Sequence, residues 1–489
     1  MRILIVLAFV SALSCGVPST APSHLPVQET FVIAAAPPPG FDRQWASQRS
    51  QEHLAALVRL DTQNPPGGEM ATARYFEEQL RSLPGIETHL LEVDSQRANF
   101  VARLHAKNPT GPPVMILGHM DVVGFQEEKW ETPPLELTEK DGHLFGRGVI
   151  DDKGMLAAAV TALEALSSNR DLLSRDLILL ATAAEEGGPP VGVDWVLEHH
   201  RDLIGDAAFA LNEGGRIRIT DGIIQTVNIQ TTEKIYHDVR ATATGPSGHG
   251  SVPLPQNALA ALARAASRVH NWRSPVRLNE TTRLFFREMA RLESDPARAK
   301  AMEIMGEERP SVESLESAAT LVATDPLMNA VMRTGVSLTV LDGGFRSNVI
   351  PSEGTATFNV RTVPGDDIHA VIESMESVAN EAQVHFELIT EPRDAPPPSP
   401  VDTDLFRAMT RAAQDMKPDV AVIPFMSTGA TDGAALRAEG IPTYGILPFP
   451  LEESDEATFH GDNERMPTAA LLWGTEYVYR VLAMIALSP

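Results

Sequence analysis

A single cysteine, Cys15, stands in 489 residues, so the chain carries no internal disulfide. Basic residues are scarce relative to acidic ones: 40 Lys and Arg against 65 Asp and Glu give a formal net charge of −25. Such an acidic surface repels phosphate backbones and anionic headgroups, which makes nucleic acid and anionic membranes poor partners. Long apolar runs are missing as well. Ile3–Leu13 is too short to span a bilayer, which takes about 20 residues, but with Arg2 before it the stretch suits the apolar region of a signal peptide. There is no internal repeat, and no low-complexity block beyond the proline-rich stretch near the N-terminus.

What is present reads as an exported globular protein. Ala12-Leu13-Ser14 precedes Cys15 as in a bacterial lipoprotein signal, where that cysteine is lipidated and becomes the mature N-terminus. Ordinary cleavage, here or near Ala34-Ala35-Ala36, is the alternative. Either way the expected location is outside the cytoplasm, periplasmic or membrane-anchored through Cys15. Residues 17–40, with Pro18, Pro22, Pro26 and Pro37–Pro39, are expected to form a stiff extended tether. The remaining length is enough for two or three domains.

From Phe41 onward, strand-like runs alternate with helical patterns. "PVMILGHMDVV" (113–123) and "DLILLATAAEE" (176–186) are continuous apolar runs ending in polar residues, and "AAFALNEGG" (207–215) and "IPTYGILPF" (441–449) are weaker examples. Runs without period-two alternation suit strands buried on both faces of an open α/β sheet. The middle differs: "YHDVRATATG" (236–245), a helix over 257–272, "GTATFNVRTV" (354–363), a helix over 367–382 and a strand over 383–389 read as β-α-β-α-β. This predicts an α/β fold with an open, mostly parallel sheet in the larger domain and a smaller inserted α+β, ferredoxin-like domain. The expected boundaries are 1–40 for signal peptide and tether, 41–232 and 394–489 for the two parts of the larger domain, and 233–393 for the insert. Residues 275–335 look helical, without an assigned place.

The polar residues fall where an open α/β sheet binds ligands, beyond the carboxyl ends of its strands. His119 and Asp121 follow one run, Glu185 and Glu186 a second, and Glu213 a third, while Asp151 and Asp152 open a helix. One imidazole and several carboxylates at one sheet edge form a ligand set for zinc or a similar divalent ion. Taken singly, each has a plainer reading as a hydrogen-bonded pair, a solvated loop or a helix cap.

Seven segments then come in a recognisable order: "GHMDVV", "GRGVIDDKG", "AAEEGG", "LNEGG", "GPSGHGSVP", "RSNVIP" and "FHGDNERMP", with "DTQNPPGGE" (61–69) upstream. Together they resemble the dinuclear-zinc metallopeptidases of M20/M25/M40 type, which include glutamate carboxypeptidase, aminoacylase, acetylornithine deacetylase and Gly-X carboxypeptidase. The secreted branch acting on peptides and N-acyl amino acids is the most similar. The resemblance implies two Zn2+ ions, with Co2+ or Mn2+ as alternatives. It makes Asp151 the bridging ligand, with His119 and Glu213 on one ion and Glu186 and His460 on the other. It assigns Glu185 as general base and Asp121 as the carboxylate behind His119. A cis peptide bond is expected after Asp151. The insert would be a lid that makes a homodimer, His249 would reach the partner's site, and Asn348 and Arg361 would bind the substrate carboxylate or line its pocket. "MSTGATDGAALR" (426–437) resembles a substrate loop in which Gly429, Thr431 and Asp432 take part; a helix cap is the other reading of Thr431 and Asp432. The implied reaction is amide hydrolysis by a carboxypeptidase or N-acyl-amino-acid hydrolase, with an aminopeptidase or small-molecule deacylase as the alternative on the same site. Ala184 stands where the family usually has an acidic residue, which leaves the substrate pocket open to difference.

Overall fold

The computed structural model describes residues 30–391 and 393–487; the expected signal segment and Cys15 lie outside the described residues. The described end of the proline-rich segment is docked on the body. Ala34 N–H donates to the Met416 carbonyl, and Tyr479 Oη donates to the Pro39 carbonyl at 2.8 Å.

Helix α1 (Arg43–Arg59) is followed by strands β1 (Ile86–Glu92), β2 (Ala98–Leu104) and β3 (Val114–His119). Helix α2 (Lys153–Ser167) and strands β4 (Leu177–Thr182), β5 (Phe209–Asn212), β6 (Arg216–Thr220) and β7 (Ile223–Glu233) come next. The chain then leaves for a second group of elements: β8 (Ile235–Thr244), β9 (Gly248–His249), α3 (Ala258–Asn271), β10 (Gly335–Gly343), β11 (Val349–Ile350), β12 (Glu353–Thr362), α4 (Ile368–Ala379) and β13 (Val384–Leu388). It returns through α5 (Asp404–Met416), β14 (Ala421–Ser427), β15 (Thr443–Gly445), β16 (Pro450–Leu451) and α6 (Thr468–Ala486).

Among the described residues the large sheet has ten strands in the order β1-β2-β4-β3-β5-β15-β7-β6-β16, with β14 also on β7. Its centre, β4-β3-β5-β15, is parallel. The β1-β2-β4 flank is antiparallel, as are the pairs β15-β7 and β7-β6, so the sheet is mixed. The central strands show why their sequences are apolar without alternation. Val114 and Ile116 of β3, with Leu177, Leu179 and Ala181 of β4, pack into the core under α1, α2, α5 and α6. Met115 and Leu117, with Ile178 and Leu180, pack into a second core on the opposite face. Each strand is covered on both sides, so both of its faces must be hydrophobic. Helix α2 is buried along its whole length, which explains its alanine-rich, all-round apolar sequence.

The second sheet is antiparallel, β10-β12-β8-β13, with α3 and α4 on its covered face. The sequence pattern identified β8, β12 and β13 but not β10. That strand is largely exposed and lies at the sheet edge, so no buried face imposes a readable alternation on it. Residues 280–331 form four helices whose Phe285, Phe286, Met302 and Met305 pack against Ile423, Phe425 and Met426 of β14.

Candidate metal centre

The strand ends deliver the site. His119 is the last residue of β3, and Glu185 and Glu186 follow β4 by three and four residues. Glu213 comes directly after β5, and Asp151 lies just before α2. Close approach of α2 to β3 requires Gly118, because a Cβ there would meet Asp152 Oδ2 at 2.6 Å. Asp152 is at the N-cap position of α2 but makes no capping bond, and its Oδ2 accepts from the His119 N–H at 3.3 Å. The Asp151-Asp152 peptide bond is cis.

Asp151 is the centre of the arrangement. One carboxylate oxygen lies 2.8 Å from His119 Nε2, and the other lies 2.8 Å from His460 Nε2. Glu186 Oε1 stands 3.2 Å from the same His460 nitrogen. His119, Asp151 and Glu186 offer ligand atoms all within 4.8 Å of one another. Glu213 is buried beside them, and burial, followed by repulsion from Asp151, pushes its carboxyl up to about 8. Burial also raises Glu185 and Glu186; repulsion from Glu213, Asp432 and Glu186 adds to the first shift, and repulsion from Asp151 adds to the second. Burial works against the charged imidazoles, yet carboxylates outweigh it: Asp151 and Asp121 hold His119 well above its ordinary range, and Asp151 and Glu186 push His460 up to about 10. The cluster therefore takes up protons wherever no other cation is present.

The residues fit a pair of divalent ions. Both oxygens of Asp151 face an imidazole nitrogen, as a bridging carboxylate requires. The buried Oε1 of Glu186 makes no hydrogen bond, although His460 Nε2 stands 3.2 Å away. Two imidazoles and three carboxylates are the donor set zinc prefers, and replacing their protons by metal relieves the repulsion.

The surrounding groups hold these residues in place. Asp121 Oδ1 accepts the Glu185 N–H at 3.2 Å, and Oδ2 accepts the Glu186 N–H at 3.0 Å and Asn64 Nδ2 at 2.9 Å. His119 Nδ1 lies 3.0 Å from the Asp121 carbonyl and 3.6 Å from Asp121 Oδ1. Asn64 also donates to the Gly187 carbonyl and is itself held by Arg97 Nη2 at 3.0 Å. Ala184, with φ 57°, and His460, also with φ 57°, sit in the left-handed region that non-glycine residues seldom adopt. Such strain collects at functional sites, where the surroundings enforce it. The Phe459 ring stacks on His460 at 4.5 Å, and Arg216 covers Phe459 at 5.0 Å.

The expected substrate residues fall into three groups. His249 and Asn348 are brought together: β9 pairs with β11, and the Gly250 N–H donates to the Asn348 carbonyl at 2.8 Å. His249 is exposed, with Nδ1 2.7 Å from Ser251 Oγ, and no hydrogen bond among the described residues links it to the carboxylate cluster. Arg361 is half-buried, its guanidinium 4.8 Å from the Tyr236 ring and its Nε donating to Asn359 Oδ1. In the 427–433 loop the Gly429 N–H donates to Ser427 Oγ, and Thr431 is held on Glu233 through its N–H and hydroxyl, both at 2.9 Å. Glu233 also accepts from Arg437 Nη2 at 2.7 Å and Gln230 Nε2 at 2.6 Å. Asp432 accepts from Thr182 Oγ1 at 2.6 Å rather than capping the helix that follows.

Sequence reasoning gave no role to Asn64, Arg97, Glu233, Arg147 or Glu464. Asn64, Arg147 and Glu464 lie inside quoted motifs, which was the only available signal; Arg97 and Glu233 carried none.

Comparison with known proteins agrees with this geometry. The model of peptidase family M20/M25/M40 matches residues 115–484. A Dictyostelium discoideum protein named probable carboxypeptidase S-like 2 is 30% identical over 360 residues, covering 72% of this chain and 68% of that protein. A Xenopus tropicalis N-fatty-acyl-amino acid synthase/hydrolase, PM20D1, is 28% identical over 365 residues, covering 73% of this chain and 70% of its own. The fold is shared with the M20 family metallo-carboxypeptidase Sso-CP2 from Sulfolobus solfataricus, with a TM-score of 0.64, 19% identity, and coverage of 89% of this chain and 98% of that one. With the matched region spanning the strands that carry the expected ligands and the returning His460 loop, the chain belongs to peptidase family M20/M25/M40 and is a metal-dependent hydrolase of amide bonds.

Proposed function

We propose that the protein is a carboxypeptidase or N-acyl-amino-acid hydrolase working with two Zn2+ ions. The observation that carries this reading is Asp151, with one oxygen 2.8 Å from each of two imidazoles. His119 and Glu213 would complete one ion's ligands, and Glu186 and His460 the other's. When bound, the ions supply an activated water at neutral pH and positive charge beside the scissile carbonyl. Glu185, next to the cluster and with a raised affinity for protons, takes the proton of the attacking water and returns it to the leaving amine nitrogen. Arg361 presents a planar guanidinium suited to a substrate carboxylate, and Thr431 and Gly429 shape the 427–433 loop.

The relatives support the substrate class: one is named for carboxypeptidase activity and another for N-fatty-acyl-amino acids. Mass-spectrometric hydrolysis of dipeptides, their C-terminally amidated counterparts and N-acyl amino acids tests it. Cleavage should require the free carboxylate. Equal cleavage of amidated substrates, with rejection of N-blocked ones, would establish an aminopeptidase instead.

The exposed edge of β10 and the exposed His249 support a homodimer through the lid, with His249 assisting the partner's site. The N-terminal pattern supports export with lipidation at Cys15, which the mass of the mature N-terminal peptide would test.

A further inference from the structure

One buried ion pair outside the ligand set has no part in the chemistry above. Arg147 Nη1 lies 2.8 Å from Glu464 Oε2, and both side chains are only 1% exposed. The same Glu464 carboxylate accepts the N–H groups of Gly148 and Ile150, each at 2.8 Å, and of Asp151 at 3.2 Å. Arg147 Nη2 donates to the Gly461 carbonyl at 2.6 Å, and the Gly146 N–H donates to the Glu464 carbonyl at 3.2 Å. The guanidinium lies 5.1 Å from the Trp130 ring, which closes one side of the pair. The bonds form a seam between residues 146–151 and 461–464, two segments more than 300 positions apart in sequence. Asp151 ends one side of the seam, and His460 borders the other.

Burying two charges costs desolvation energy that their attraction often fails to recover, so an apolar pair of similar volume would serve stability as well. What an apolar pair could not do is hold three backbone N–H groups and a carbonyl in register. We propose that Arg147 and Glu464 are a positioning pair. They fix the separation of Asp151 from His460, and thereby the affinity of the site those two share with Glu186. His119 is placed differently, by the end of β3 and by the Asp121 carbonyl at 3.0 Å, so the two ions depend unequally on the seam. The proposal rests on the two-ion reading given above.

Zn2+ titration of the stripped full-length protein against a chromophoric chelator tests it. Three variants are needed: Glu464→Gln, Arg147→Lys, and the double change Arg147→Met/Glu464→Gln, which leaves no isolated buried charge. Circular dichroism and thermal melting report whether each is folded. The wild type should bind two ions. Each folded variant should bind one ion at wild-type affinity and the other about 10–100-fold more weakly. Unchanged affinity for both ions in the double variant and in Arg147→Lys would overturn the proposal, and so would equal weakening of both ions, since that indicates general loss of structure. A wild type that binds fewer than two ions would instead overturn the two-ion reading.

Discussion

Asp121 Oδ2 accepts the backbone N–H of Glu186 at 3.0 Å, while Oδ1 of the same carboxylate accepts that of Glu185 at 3.2 Å. One buried carboxylate thus holds the turn carrying both the expected base and an expected ligand, and its own carbonyl orients the His119 ring. Asp121→Asn keeps the size but turns an NH2 group toward one of those N–H donors. Metal affinity or kcat should fall about 10–100-fold, read by zinc titration and steady-state kinetics.

Gly154 lies in the first turn of the buried helix α2, where a Cβ would lie 2.1 Å from the Val149 carbonyl and 2.9 Å from the Phe449 ring. Neither neighbour is the end of a flexible chain. Gly154→Ala should lower stability by about 1–3 kcal/mol, the usual cost of overpacking, measured by denaturant unfolding of the metal-loaded enzyme.

Lys234 is buried where β7 gives way to β8, with its Nζ donating to the Arg333 carbonyl at 2.6 Å. Burial, with some repulsion from Arg361, lowers its pKa to about 8, below the value of about 10.4 in an unfolded chain. Between those values the unfolded state holds more protons than the folded one. This group's contribution therefore favours folding increasingly as pH rises from about 8 to about 10.4, and below pH 8 the full cost of a buried ammonium applies. Unfolding curves across this range should show a positive slope in the wild type that is reduced in Lys234→Met.

Strand β10 offers an unpaired edge, and Phe345 just beyond it is 77% exposed. If the homodimer forms along this edge, Leu341→Lys with Phe345→Ser should shift sedimentation from dimer to monomer and lower activity. An unchanged sedimentation coefficient would place any dimer elsewhere.

The sequence showed the parts of the fold that burial controls. Val114–His119 and Leu177–Thr182 are apolar because both faces are covered, so their runs announced central strands. The amphipathic strands and helices of the lid were equally readable. β10 was not, because an exposed edge strand has no core to constrain its residues. Within the site, the expected ligands and Glu185 were singled out through motif resemblance and position after strands. Asn64, Arg97, Glu233, Arg147 and Glu464 were missed because their roles consist of contacts to distant segments, such as Arg147 to Glu464 across 317 positions. No local spacing encodes such a pairing. Asp121 shows the same limit, since its contacts to the N–H groups of Glu185 and Glu186 appear only once the turn is folded.

The most direct measurement is hydrolysis of one good dipeptide or N-acyl amino acid by wild type and by Glu185→Gln, each assayed zinc-loaded, chelator-treated and zinc-restored. Wild-type turnover should vanish with chelator and return with zinc. Glu185→Gln should bind zinc normally while kcat falls about 10²–10⁴-fold. Normal turnover by Glu185→Gln, or wild-type activity that survives complete removal of metal, would contradict the assignment of Glu185 as the base of a metal-dependent hydrolase.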